Sequence, residues 1–263
     1  MTNEQLLQEF LNPLAVCANY RPAFGTTEEG FSVADFHTLY GNDEFYSWIG
    51  LDSDLVYAAH KAAGGLTSIY RQIGVGAERL LREIIKQELD LTAEQVAWQY
   101  EYQSANNRTA YHILDAKISL SDIHNSIITE RFTRWLRAAQ VRTGGAEATI
   151  NLQGAIFEIR QGYKSADSKR QNADIRFGAK SYQINHIPVV AILSSQVSET
   201  VIQRYKNSGM LVITGTRSND STISTFSFFR EVVGYNLEDF FRRNSVEIQR
   251  VVHQLIQSLL RAN

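Results

Sequence analysis

The stretch from Gly154 to Lys180, GAIFEIRQGYKSADSKRQNADIRFGAK, constrains this chain most, because apolar alternation and charge coincide there. Successive side chains of an extended strand point to opposite faces. Ala155, Phe157, Ile159 and Gln161 therefore share one side, while Ile156, Glu158, Arg160, Gly162 and Lys164 share the other. Three charges lie on one strand face. Gln153-Gly154 offers a tight reversal, which predicts that Thr149 to Leu152 is the antiparallel neighbour of this strand. Beyond Lys164, Ser165 or Asp167 is placed to cap a helix running through Lys169, Arg170, Gln171 and Asp174. From Ala155 to Lys180 six basic residues face Glu158, Asp167 and Asp174, although the whole chain carries a formal charge of −2.

An acid and a lysine on one strand face, beside a basic and amide-rich helix, suit metal-dependent phosphodiester hydrolysis. Acids hold a divalent cation that neutralises the attacked phosphate and activates water, while the lysine positions that water or stabilises the developing charge. Arg160, Gln161, Lys169, Arg170, Gln171 and Asn172 are of the types that contact phosphates and base edges. The plain alternative is a solvated edge strand with ordinary surface charges. An earlier segment, Thr109 to Ser119, contains Asp115-Ala-Lys117, a D-x-K pair that is weak evidence by itself.

The run Glu158-Ile-Arg-Gln-Gly-Tyr-Lys164-Ser, followed by Asp167 to Asp174, resembles the active-site strand and helix of the PD-(D/E)XK nucleases, and more narrowly of type II restriction endonucleases. The helical run from Gly64 to Arg79 is similar to the ApaLI-like branch. There are departures: no Pro-Asp dipeptide occurs, and Arg160 stands two residues after Glu158 where the pattern has lysine. The resemblance implies an Mg2+-dependent, site-specific endonuclease acting on double-stranded DNA, working as a homodimer. Glu158 would bind metal, Lys164 would orient the attacking water, and Asp174 or Asp115 would be the second acid and metal ligand. Lys164 lies about 20 Å from Glu158 along a straight strand at roughly 3.3 Å per residue. Either the chain bends at Gly162, or Arg160 takes the catalytic place. A structure-specific repair nuclease and a non-cleaving DNA-binding module are the alternatives.

The expected fold is α/β: a mixed central sheet flanked by helices, of restriction-endonuclease type, with an N-terminal helical region over residues 1–92 and the core over 93–263. Capping patterns at Thr2/Gln5 and Ser32/Asp35 open short helices. Asp54 to Ala63 reads as a helix, and Leu66, Ile69, Tyr70, Ile73, Ala77, Leu80, Leu81, Ile84 and Ile85 follow the helical period. Gly74 and Gly76 lie off that stripe, where they cost helix stability unless DNA, a second subunit or another helix approaches the backbone closely. Leu120 to Gln140 reads as an amphipathic helix. Ile187 to Leu193 and Met210 to Thr214 read as buried strands joined by a helix over Glu199 to Asn207, which implies a right-handed parallel crossover. Phe226 to Phe229 is an apolar strand or core segment, and Leu237 to Leu260 a terminal helix and candidate dimer element. One cysteine, Cys17, leaves no intramolecular disulfide and fits a reducing cytoplasm. No Cys/His spacing suggests zinc, no basic leader precedes an apolar run, and no segment approaches a membrane span.

Overall fold

In the computed structural model, which describes residues 1–25, 30–103, 106, 108–144, 151–162 and 168–261, helices start where their capping residues predict. Thr2 and Gln5 exchange side-chain and backbone hydrogen bonds of 2.8 and 3.2 Å ahead of α1 (Asn3–Leu11). A 3-10 stretch holding Pro13 follows (Asn12–Asn19). Ser32 and Asp35 close a capping box on α2 (Val33–Gly41), and Asp43 caps α3 (Glu44–Trp48). The two helices expected over 54–85 are one, α4 (Asp54–Glu88). Tyr57, Lys61, Gly65 and Ile69 form an unbroken buried row at four-residue spacing, so the helix continues through Gly64 and Gly65.

Next come α5 (Ala93–Val96) and the antiparallel ribbon of β1 (Trp98–Gln103) with β2 (Thr109–Leu114). Then follow β3 (Ala116–Ser119), α6 (Ser126–Arg142), β4 (Gly154–Arg160), α7 (Ser168–Gln183) and β5 (His186–Ile192). The chain ends with α8 (Glu199–Asn207), β6 (Leu211–Ile213), α9 (Thr225–Phe228) with a π-helical continuation, and α10 (Leu237–Leu259).

The fold is α/β, with a mixed sheet flanked by helices. Its strand order is β3-β4-β5-β6, with β3 antiparallel and the others parallel. β4 pairs with Ala116–Ser119 on one edge, in register Ala116↔Phe157, and with β5 on the other, so the expected Thr149–Leu152, of which Thr149 and Ile150 lie outside the described residues, is not its antiparallel partner. Asn151 to Gln153 carries no ladder, whereas Ala116, Ile118 and Ser119 are all buried and can fill a sheet position. The extended segment expected over 109–119 is split at Asp115 into strands of two different sheets. The apolar run Phe226–Phe229 is helical: the Ser224 hydroxyl accepts from Ser227 N, and Phe228 and Phe229 turn inward.

Packing divides the chain into one unit of Met1–Leu6 with Ala77–Phe241 and another of Leu7–Gly76 with Arg242–Asn263, a different division from one at residue 92. The sheet unit has a core on each face. One side carries Ile156, Val190, Ile192 and Val212 under Phe177 of α7, Val201 and Tyr205 of α8, and Tyr100 and Leu114 of the ribbon. On the other, Trp135 of α6 and Phe228 of α9 stack against Phe157 at centroid distances of 6.3 and 5.3 Å. In the helical unit Phe24, Phe36 and Tyr40 form an aromatic group, and Tyr57 donates to Phe31 O at 2.8 Å. The close neighbour demanded by Gly76 is the backbone of α1: a Cβ there would lie 2.2 Å from Phe10 O. No helix among the described residues is long and apolar enough to cross a membrane.

Candidate active site: a buried carboxylate and arginine cluster

Strand β4 carries Glu158 and Arg160 on the face covered by α7, α8 and the ribbon. Continuing the β3–β4 register by one step sets Asp115 opposite Glu158. Two hydrogen bonds hold it there: Asp115 N donates to Phe157 O at 3.2 Å, and Ile159 N donates to Asp115 Oδ2 at 2.7 Å. Arg82 of α4 donates to Asp115 O at 2.5 Å and lies 3.9 Å from its Oδ1. Two turns into α7, Asp174 faces the same point. One nitrogen of Arg160, Nη2, pairs with Glu158 Oε1 and, at 3.1 Å, with Asp174 Oδ1. Tyr205 of α8 donates to Asp174 Oδ2 at 2.5 Å.

All three acids are buried, with Glu158 5 %, Asp115 8 % and Asp174 1 % exposed. Burial, the largest cause, pushes the Glu158 carboxyl well above the usual carboxylate range; Arg160 opposes the rise, and the charges of Asp115, Asp174 and Glu78 add to it. Burial also raises Asp115, opposed by the Ile159 amide and by Arg160 and Arg82. The ribbon closes one side of the cluster: Tyr100, pushed up to about 12 by burial, shares a 3.0 Å hydrogen bond with His112 Nδ1. Burial holds His112 below its ordinary value.

Among the described residues no three His, Cys, Asp or Glu side chains form a ready cation cage. Glu158 Oε2, however, is buried with no hydrogen-bond partner among them, and the Asp115 charge, across the strand pair, is close enough to raise the Glu158 pKa. Mg2+ is commonly held by one or two carboxylates, its other ligands being water and phosphate oxygens. The pair Glu158 and Asp115 fits that requirement. Asp174, engaged by Arg160 and Tyr205, is placed as a counter-ion.

The expected site is therefore brought together in part. Glu158, Asp115, Asp174 and Arg160 converge. Lys164 lies outside the described residues; β4 ends at Arg160, with a bend at Gln161. Gln161 is half-buried, and its carbonyl accepts from Ser194 N at 3.1 Å. Asn172 is exposed on α7 and accepts from Arg204 at 2.6 Å. Lys169, Arg170 and Gln171 lie in the first turn of α7, with side chains outside the description. Lys117 of the D-x-K pair instead sits 3.8 Å from Asp122.

Sequence reasoning missed Tyr205, Tyr100, His112 and Arg82. Tyr205 stands four residues after Val201 on the buried side of α8 and reads as core. The alternation Trp98, Tyr100, Tyr102 opposite His112 is the one signal that a polar-tipped aromatic face covers something charged. No protein-family model matches the chain, and neither a curated protein nor a solved structure matches it.

Proposed function

We propose that this protein is an Mg2+-dependent endonuclease of double-stranded DNA, similar in core and chemistry to the type II restriction endonucleases. The observation that carries the reading is the Asp115 to Ile159 hydrogen bond. It sets an acid from one strand beside the acid of a Glu158-x-Arg160 strand, with a cation two residues further on. The antiparallel β3–β4 pair followed by parallel β5 across α7 supports a core of restriction-endonuclease type.

Glu158 and Asp115 would hold the cation, Glu158 through the Oε2 that has no partner among the described residues. A bound Mg2+ supplies Lewis acidity to the attacked phosphate and lowers the pKa of a water. Arg160 cannot hand a proton to water at neutral pH, since a guanidinium stays charged; its part is to fix the phosphate oxygens and the charge that develops on them. That use requires Arg160 to exchange at least one carboxylate partner for the phosphate, with Asp174 and Tyr205 keeping the other end of the network in place. Two copies of the chain would be needed to cut both strands of a two-fold site together. Cytoplasmic residence is proposed with the same reading.

A second reading has a specific observation in its favour. Arg160 already neutralises Glu158 in a cluster that is almost wholly buried, as in a structural ion network of a DNA-binding module that does not cut. Digestion of a plasmid of known sequence with Mg2+, followed by sequencing of the fragment ends, separates the possibilities. Discrete fragments with a common end sequence support the restriction-type reading. Cleavage without a common sequence favours a structure-selective nuclease. Binding without cleavage by wild type, unaltered in Glu158→Ala, refutes nuclease activity.

A further inference from the structure

The chain leaves β6 through a loop that returns on itself. Thr214 forms a parallel bridge with Ser224, Thr214 N donates to Ile223 O at 2.9 Å, and Thr225 N donates to Thr214 O at 2.8 Å. Gly215 is required at the exit, since a Cβ there would lie 1.9 Å from Leu193 O at the end of β5. Between this loop and α9 lies a cavity of about 320 Å3, whose wall includes Arg217, Ser218, Asn219, Ser227, Arg230 and Glu238.

The donors of this wall exceed what the protein itself uses. Arg217 is exposed and makes no ion pair or hydrogen bond among the described residues. Nor do the backbone amides of Arg217, Ser218 and Asn219, three in succession, donate to any described group. Arg230 donates to Ser227 Oγ at 3.2 Å and to Glu231 at 2.9 Å, which holds its guanidinium over the same wall. Backbone amides without protein acceptors and guanidinium groups are the donor types that a tetrahedral oxyanion takes. Glu238 opposes that charge, so the wall favours a singly charged phosphodiester over a free phosphate dianion.

Position names the source. The cavity opens where β6 ends, and Glu158 and Arg160 sit where β4 ends, with β5 between them. Two strand spacings of roughly 4.8 Å separate those ends, with the cavity on the α9 side of the sheet and the Glu158 and Arg160 side chains on the α7 side. Open sheets with parallel strands gather their ligands beyond the carboxyl ends of those strands, and a DNA backbone laid across them would pass both points.

We propose that the loop Gly215–Asn219, with Arg230, is a second phosphate site that holds a backbone phosphodiester of duplex DNA within a few nucleotides of the bond at Glu158. The proposal rests on the nuclease reading of that site.

The test is binding of the full chain to a DNA duplex in EDTA across a salt series, with wild type, Arg217→Ala and Arg217→Lys, and a parallel titration with inorganic phosphate. Arg217→Ala is expected to bind DNA roughly ten-fold more weakly and to lower the slope of log affinity against log salt by about 1, whereas Arg217→Lys keeps the slope. Wild-type affinity and slope in Arg217→Ala overturn the second site and leave the nuclease reading intact. Weaker binding of inorganic phosphate by Arg217→Ala with DNA binding unaltered also overturns it, since the site would then serve a free phosphate. Failure of wild type to bind any duplex overturns both readings together.

Discussion

Replacing Arg160 by methionine keeps an apolar stem and removes the guanidinium that joins Glu158 to Asp174. Stripping one partner from a buried ion pair costs about 3–5 kcal/mol. Tyr205 continues to donate to Asp174, which puts this case near the lower end, about 3 kcal/mol at pH 8. The loss should depend on pH. Burial already holds Glu158 well above its ordinary value of 4.5, and the guanidinium works against that rise. Without Arg160 the folded protein binds the Glu158 proton still more tightly than the unfolded chain does. Such a group lowers stability as pH rises from about 4.5 through its folded value, and restores it as pH falls. The deficit of Arg160→Met should therefore shrink on acidification, by up to about 1.4 kcal/mol per pH unit while one proton is taken up. Urea unfolding followed by tryptophan fluorescence at pH 5, 6.5 and 8 measures this for wild type, Arg160→Met, Glu158→Gln and the double variant. The double variant should be more stable at pH 8 than the single effects summed, by roughly 1 kcal/mol or more. A loss below about 1 kcal/mol at every pH, with additive single effects, would refute the claim that Arg160 holds the acids.

Glu158→Ala should lower Mg2+-dependent cleavage by a factor of roughly 10²–10³ or more and leave EDTA binding to DNA within a few-fold of wild type; a wild-type rate removes β4 from the active site. Asp115→Asn should raise the Mg2+ concentration needed for half-maximal cleavage at least roughly ten-fold, while Asp174→Asn lowers the urea midpoint and leaves the Mg2+ midpoint nearly unmoved; the reverse pattern exchanges the two acids. Gly76→Ala gains about 1 kcal/mol of helix propensity but drives a Cβ to within 2.2 Å of Phe10 O. Overpacking of about 1–3 kcal/mol against backbone should win, and a thermal melt that rises instead would show that α1 yields easily.

Local chemistry made much of this protein legible without coordinates. The capping boxes at Thr2 and Ser32, the helix over Glu199–Asn207 and the buried strands around Val190 and Val212 depend on neighbours within a few residues, and each forms where those neighbours predict. Alternation along β4 likewise put Glu158 and Arg160 on one face, because a strand's side-chain period is two whatever it pairs with. Pairing itself is not local. Which segment lies beside β4 was decided by long-range burial, and Ala116–Ser119 took the place that the nearer turn at Gln153-Gly154 had suggested for the segment before it.

The same division runs through the candidate site. Asp115 and Asp174 stood as equal candidates for the second acid, since sequence spacing measures distance along the chain and not across a sheet. The β3–β4 register then set Asp115 against Glu158, and the pitch of α7 turned Asp174 toward Arg160 and Tyr205. Residue types and periodicity determined which acids and cations could meet. Only the tertiary structure decided their partners, because burial charges a cost for every unpaired polar group and the packed arrangement is the one that meets most of those costs at once.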